Sequence, residues 1–92
     1  MPVMWYTYII ECKNGTFYTG ITTDITRRIK QHNTGQGSKY VKRYGGVPVT
    51  LRYIEDQPNR SEASKRECAI KKLTRKEKEQ LINDKEIRPG GC

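Results

Sequence analysis

One stretch constrains this chain more than any other: WYTYIIECKNGTFYTGIT, residues 5–22. Two runs of β-forming residues, 5–12 and 16–22, bracket the tight-turn dipeptide Asn14-Gly15 and read as an antiparallel hairpin. The register decides which side chains share a face. A two-residue turn pairs Lys13 with Thr16 and sends Tyr8 and Tyr18 to opposite faces. A three-residue loop, Lys13-Asn14-Gly15 with Gly15 left-handed, pairs Cys12 with Thr16 instead. Trp5, Ile9, Phe17 and Ile21 then share one apolar face. Tyr6, Tyr8, Tyr18 and Gly20 share the other, with Tyr8 opposite Gly20 and diagonal to Tyr18. Register follows the hydrophobic pattern, so the three-residue loop is expected.

Downstream, Asp24 is an N-cap for a helix across ITRRIKQHN, whose Ile25 and Ile29 lie one turn apart on the buried side. Residues 34–48, TGQGSKYVKRYGGVP, are rich in glycine and proline and read as loop. VTLRYIE alternates as a third strand, with Val49, Leu51 and Tyr53 on one face. Ser61 is the expected cap of a helix running to about Leu73, with Ala63, Ile70 and Leu73 inward. Thr74 and Glu77 have capping-box spacing for a last helix through Leu81 and Ile82. The expected fold is α+β: a small three-stranded antiparallel sheet flanked by helices, in the order β-β-α-β-α-α. One domain is expected, with its core over about residues 4–83 and a frayed tail over 84–92.

A chain of 92 residues supports a small core. No apolar run approaches the ~18 residues of a membrane span, and no basic-then-apolar leader is visible. Cys12, Cys68 and Cys92 are odd in number and scattered, which argues against a disulfide framework or a zinc site; a reducing, cytoplasmic setting is expected. The formal charge of +8 and pI near 9.6 favour a polyanionic partner, with nucleic acid ahead of an acidic membrane. Lys39, Lys42 and Arg43, interleaved with Tyr40 and Tyr44, form a basic strip suited to a nucleic acid backbone. Lys71 and Lys72, with Arg75, add to that field.

Four features are candidates for one site: Tyr8 with Tyr18, Arg28, His32, and Glu67. Arg28 and His32 are four apart and stack on one helix face, expected on the exposed side overhanging the second strand. Glu67 lies between Ala63 and Ile70 and so borders the buried stripe. A carboxylate there calls for a partner cation, such as Lys71 four residues on, or a metal.

These residues resemble the GIY-YIG nuclease domain, in its compact stand-alone bacterial form, through YTY at 6–8, YTG at 18–20, RRIKQH at 27–32 and SEASKRECAIKKL at 61–73. The resemblance implies that Tyr8 and Tyr18 are the motif tyrosines, Gly20 the second motif's glycine, and Arg28 the catalytic arginine. It implies that His32 is the helix histidine and Glu67 the metal-binding glutamate. It further implies hydrolysis of DNA phosphodiesters with one divalent ion, Mg²⁺ or Mn²⁺; the sequence leaves open whether the DNA is single-stranded, branched or duplex, and whether the substrate is found unaided or through a targeting protein. Tyr6, Thr7 and Thr19 depart from the motifs at positions that serve packing. In that chemistry Arg28 clamps the phosphate, Glu67 offers the ion a hard oxygen, Tyr8 or Tyr18 activates or orients the water, and His32 relays a proton or binds phosphate. The alternative is a nucleic-acid-binding module that keeps the fold without the reaction.

Overall fold

The hairpin takes the three-residue loop. In the computed structural model, which describes residues 3–37 and 41–86, Gly15 has φ 89°. The Cys12 N–H donates to the Thr16 carbonyl (2.8 Å) and the Gly15 N–H to the Cys12 carbonyl (2.9 Å). The Asn14 side chain accepts from the Thr16 N–H (3.0 Å) and hydroxyl (2.7 Å), which steadies the loop from inside. The strands it joins, β1 (Trp5–Glu11) and β2 (Phe17–Thr22), pair Tyr8 with Gly20 and Ile10 with Tyr18. Tyr8 and Tyr18 therefore share a sheet face.

The third strand, β3 (Thr50–Gln57), pairs antiparallel with β1, so the sheet order is β2-β1-β3. Val49, Leu51 and Tyr53 do not share a face as their alternation suggested. Ile9 pairs with Tyr53 but Ile10 pairs with Leu51, so Arg52 is an extra residue that resets the alternation. Val49 thereby joins Tyr8, Ile10 and Cys12 in one core cluster. Tyr53 joins Ile9, Ile70 and Ile82 in a second cluster across the sheet. Leu51 is left exposed.

One helix covers the first cluster and two cover the second. Helix α1 (Ile25–Asn33) is capped by Asp24, whose Oδ1 accepts from the Arg27 N–H (3.1 Å), and its Ile25 and Ile29 pack on the Tyr8 side. Helix α2 (Arg60–Lys71) lies beneath β1 and β2, and α3 (Arg75–Glu86) follows. The cap of α2 is Asn59, not Ser61: Asn59 is extended and its Oδ1 accepts from the Glu62 N–H (2.9 Å), which leaves Ser61 inside the first turn. Leu73 falls just beyond that helix, half-buried. The capping box of α3 forms in both directions, Thr74 N–H to Glu77 (2.8 Å) and Glu77 N–H to Thr74 Oγ1 (3.2 Å). This helix continues to Glu86, past the limit expected at residue 83.

The described residues 41–46 of the glycine-rich segment are more ordered than its composition suggested. Residues Val41–Gly45 form a single π turn, closed by the Gly46 N–H on the Val41 carbonyl (2.6 Å), and Val41 is fully buried. The Lys13 and Asn14 N–H groups donate to the carbonyls of Gly46 and Gly45 (both 3.0 Å), which ties the turn to the hairpin loop. Gly45 permits this approach, since a Cβ there would lie 2.6 Å from that of Cys12.

Candidate active site

The site begins with a missing side chain. Across the β1–β2 pair, a Cβ at Gly20 would lie 2.6 Å from the Tyr8 hydroxyl oxygen, so only glycine lets the phenol lie across β2. The fully buried Tyr8 ring then meets α1. Arg28 and His32 fall on the helix stripe that also carries Ile25 and Ile29, and both reach the phenol. His32 Nε2 stands 3.1 Å from Tyr8 Oη, and Arg28 Nε donates to the same oxygen at 3.4 Å.

This geometry orients the protons. Arg28 can only donate, so Tyr8 Oη accepts from it. With Arg28 donating, the Tyr8 hydroxyl can pass its own hydrogen to His32 Nε2 when that nitrogen is the unprotonated one of the neutral imidazole. The assignment suits the electrostatics. Burial, helped by the Arg28 charge, lowers the His32 pKa to about 4, so the imidazole is neutral at physiological pH. Burial raises the Tyr8 pKa; Arg28 opposes this, while Tyr18 and Glu67 add to it. The resting phenol is protonated.

His32 was expected on an exposed helix face, yet it is 1% exposed. The notch over Gly20 turns the Arg28–His32 stripe toward the sheet. The Tyr18 ring packs edge-on to the imidazole with centroids 5.6 Å apart, so His32 sits between both tyrosines. Two further residues complete the cluster without a sequence signal pointing to them. Gln31 Oε1 accepts from Arg28 Nη1 (3.2 Å), so the guanidinium is held at two points; its i+3 spacing is the only hint. Gly37 folds over the imidazole, where a Cβ would lie 2.9 Å from the His32 Cα. The Gly35 and Gln36 N–H groups draw that loop back onto the carbonyls of His32 (3.1 Å) and Gln31 (2.8 Å).

Glu67 comes from α2, on the far side of the sheet from α1. Its half-buried carboxylate pairs with Lys71 Nζ at 3.5 Å, and its charge reaches the Tyr8 phenol. A second carboxylate of the same helix, Glu62, lies in the first turn of α2 and pairs with Lys65 (3.2 Å).

Residues 4–80 match the family model described as the GIY-YIG catalytic domain. The chain belongs to the GIY-YIG family. It is 51% identical to a UPF0213 protein of Halobacterium salinarum, over 86% of this chain and all of that relative. A UPF0213 protein of Clostridium perfringens is 49% identical, over 92% of this chain and 89% of its own length. Among solved structures, the solution NMR structure of a protein from E. faecalis is similar with a TM-score of 0.61 at 43% identity, covering 91% of this chain and 88% of that one. The solution NMR structure of the UPF0213 protein from Bacillus halodurans gives a TM-score of 0.55 at 45% identity, covering 87% and 83%. These likenesses carry the same α+β fold.

Two of the departures from the GIY-YIG motifs, Thr7 and Thr19, lie on the sheet face opposite Tyr8, whereas Tyr6 shares the Tyr8 face. Thr7 and Thr19 face α2, both buried; the Thr7 hydroxyl donates to the Ala63 carbonyl (3.2 Å). Thr19 Oγ1 has no hydrogen-bond partner among the described residues. Of the basic strip, Lys42 and Arg43 are exposed on the π turn, and Lys71 and Lys72 are exposed at the end of α2. Lys39, Tyr40 and the Tyr44 side chain lie outside the described residues. Arg75, exposed at the start of α3, also makes contacts that the sequence did not suggest. Its guanidinium lies 4.2 Å from the Phe17 ring centroid and donates to the Gly15 carbonyl (2.5 Å), bolting α3 to the hairpin. No helix among the described residues is long and apolar enough to cross a membrane.

Proposed function

We propose that this GIY-YIG chain is a divalent-metal-dependent endonuclease that hydrolyses DNA phosphodiester bonds. The Arg28–Tyr8–His32 hydrogen-bonded chain carries this reading, because it sets a cation, a phenol and a neutral base in line. A binding module has no need for a buried neutral histidine accepting from a tyrosine.

In the reaction, the scissile phosphate takes Arg28 as its cationic clamp, and Gln31 holds the guanidinium plane. Drawing Arg28 toward the phosphate uncovers Tyr8 Oη. Tyr8 takes a proton from the attacking water as its own hydrogen passes to His32 Nε2, so no isolated phenolate forms. The water oxygen bonds to phosphorus, the bond to the leaving oxygen breaks, that oxygen takes a proton from solvent water, and the His32 imidazolium returns its proton to solvent. Tyr18, beside the imidazole, orients the water.

The residues fit a Mg²⁺ or Mn²⁺ ion held by a single protein ligand. Glu67 offers a hard carboxylate oxygen, and the described residues contain no group of three or more His, Cys, Asp or Glu able to form a cage. Water and phosphate oxygens would complete such a shell. When bound, the ion would supply Lewis acidity to the phosphate.

The test is nicking of branched and single-stranded DNAs in Mg²⁺, Mn²⁺ or EDTA, with Glu67→Ala and Glu62→Ala proteins alongside. Expected is metal-dependent cleavage, abolished by Glu67→Ala with the fold and metal-free DNA binding retained. Glu62→Ala should cost about 0.5 kcal/mol of stability and no activity. Binding without cleavage on every substrate would establish the non-catalytic module instead. Full cleavage by Glu67→Ala would remove Glu67 from the mechanism.

A further inference from the structure

An open basin adjoins the cluster where β2 ends and α1 begins. Trp5, Thr22, Asp24, Arg27, Arg28 and Gln31 are among its walls. It shares Arg28 with the candidate site, so a polymer with one phosphate on Arg28 has a neighbouring nucleotide within reach of it.

The basin's chemistry is selective. Trp5 is the chain's single tryptophan and is only half-buried, at the first residue of the central strand. The Arg60 guanidinium lies 5.8 Å from its ring centroid, so the indole stands in a cationic field. Arg27 is exposed, and its guanidinium has no hydrogen bond or ion pair among the described residues. Gln31 spends its Oε1 on Arg28 and keeps its amide hydrogens as donors. Asp24 uses Oδ1 to cap α1, and its negative charge disfavours a bare phosphate beside it. An aromatic platform, an unpaired cation and a local anion together suit a heterocyclic base with its phosphate to one side.

We propose that this basin seats the nucleotide next to the scissile phosphate, with its base stacked on the Trp5 indole and its own phosphate on Arg27. The proposal rests on the nuclease reading above, and it adds a subsite to it. Such stacking tolerates any base, because every base presents a π face.

The single tryptophan makes the test direct. An oligothymidylate and an abasic deoxyribose-phosphate oligomer of equal length are titrated without metal. Anisotropy of an end label reads binding, and tryptophan emission reads Trp5. Expected is quenching by the base-bearing oligomer alone. Trp5→Ala should weaken that oligomer about 10-fold and Trp5→Phe much less, with the abasic oligomer indifferent to both. Arg27→Ala should weaken both oligomers alike and lower the salt slope by about one. Binding that leaves Trp5 emission unchanged, or equal quenching by the abasic oligomer, overturns the subsite while the nuclease reading stands. Binding of neither oligomer overturns both. Should Trp5→Ala fail to fold, the emission of the unmodified protein still decides.

Discussion

Gly20 has no side chain because Tyr8 occupies its space. The nearest atoms to an added Cβ would be Tyr8 Oη at 2.6 Å and Cζ at 2.8 Å, both in a fully buried ring between sheet and helix. The phenol cannot retreat without losing His32 and Arg28. Gly20→Ala should therefore cost about 2 kcal/mol, read from the urea midpoint. In a Tyr8→Phe background the nearest atom is gone, and the same substitution should cost measurably less. Additive losses in that cycle would show that the two positions do not compete for space. The coupling explains why a tyrosine in one motif and a glycine in the other occur together. Each is the condition for the other.

At the scale of elements, the start of α2 shows how one side chain sets a helix boundary. Asn59 and Ser61 are both competent caps by type, but only Asn59 has the extended backbone and the 2.9 Å bond to the Glu62 N–H. Asn59→Ala should cost about 1 kcal/mol and Ser61→Ala well under half of that, by thermal or urea unfolding. An equal loss for Ser61→Ala would move the cap. The other side of α2 is fixed by charge. Arg66 Nε donates to both carboxylate oxygens of Glu55 (3.0 Å each), and Tyr53 and Gln57 also donate to that carboxylate. Burial works against the charge on Glu55, yet these donors outweigh it and lower its pKa. The Tyr53 phenol is pushed up to about 12 by burial and by Glu55. The clamp therefore persists through neutral pH and loosens only as pH falls through the lowered Glu55 value.

For the whole molecule, the placement of the chain's one histidine governs stability in mild acid. His32 titrates near 4 in the folded protein against 6.5 for an unperturbed imidazole. The unfolded chain therefore binds a proton first as pH drops. Stability from this residue is complete above about 6.5 and is lost as pH falls toward 4, by roughly 3 kcal/mol over the window. Urea unfolding at several pH values should show this loss, and His32→Gln should flatten it. A wild-type stability constant between pH 6.5 and 5 would contradict the buried neutral imidazole. The same protonation would remove the acceptor for Tyr8, so cleavage should fall in the same direction. The +8 charge acts at this scale as well, since it draws a polyanion to the surface but does not orient it.

The hairpin register, the Asp24 cap, the Thr74–Glu77 capping box and the stacking of Arg28 on His32 were all legible in the sequence. Each depends on residues a few positions apart, where spacing alone decides which groups can meet. Spacing singled out Glu67 at the border of the buried stripe but left its role open between a salt bridge and a metal, and the motif resemblance implied the metal. Other features follow from contacts between distant segments, which no local spacing encodes. The extra residue at Arg52 matters only because β3 must keep pairing with β1 while filling two cores. The π turn at 41–45 is held by a hairpin loop some thirty residues earlier, so its glycines mark close approach and not freedom. The contacts of Arg75 with Phe17 and the Gly15 carbonyl likewise join segments some sixty residues apart. His32 looked exposed until Gly20 opened a notch beneath it and Gly37 closed over it. Local chemistry determined which groups this chain carries and how neighbours pair; burial, and with it the protonation of His32 and Tyr8, was decided only when the two faces of the sheet were covered.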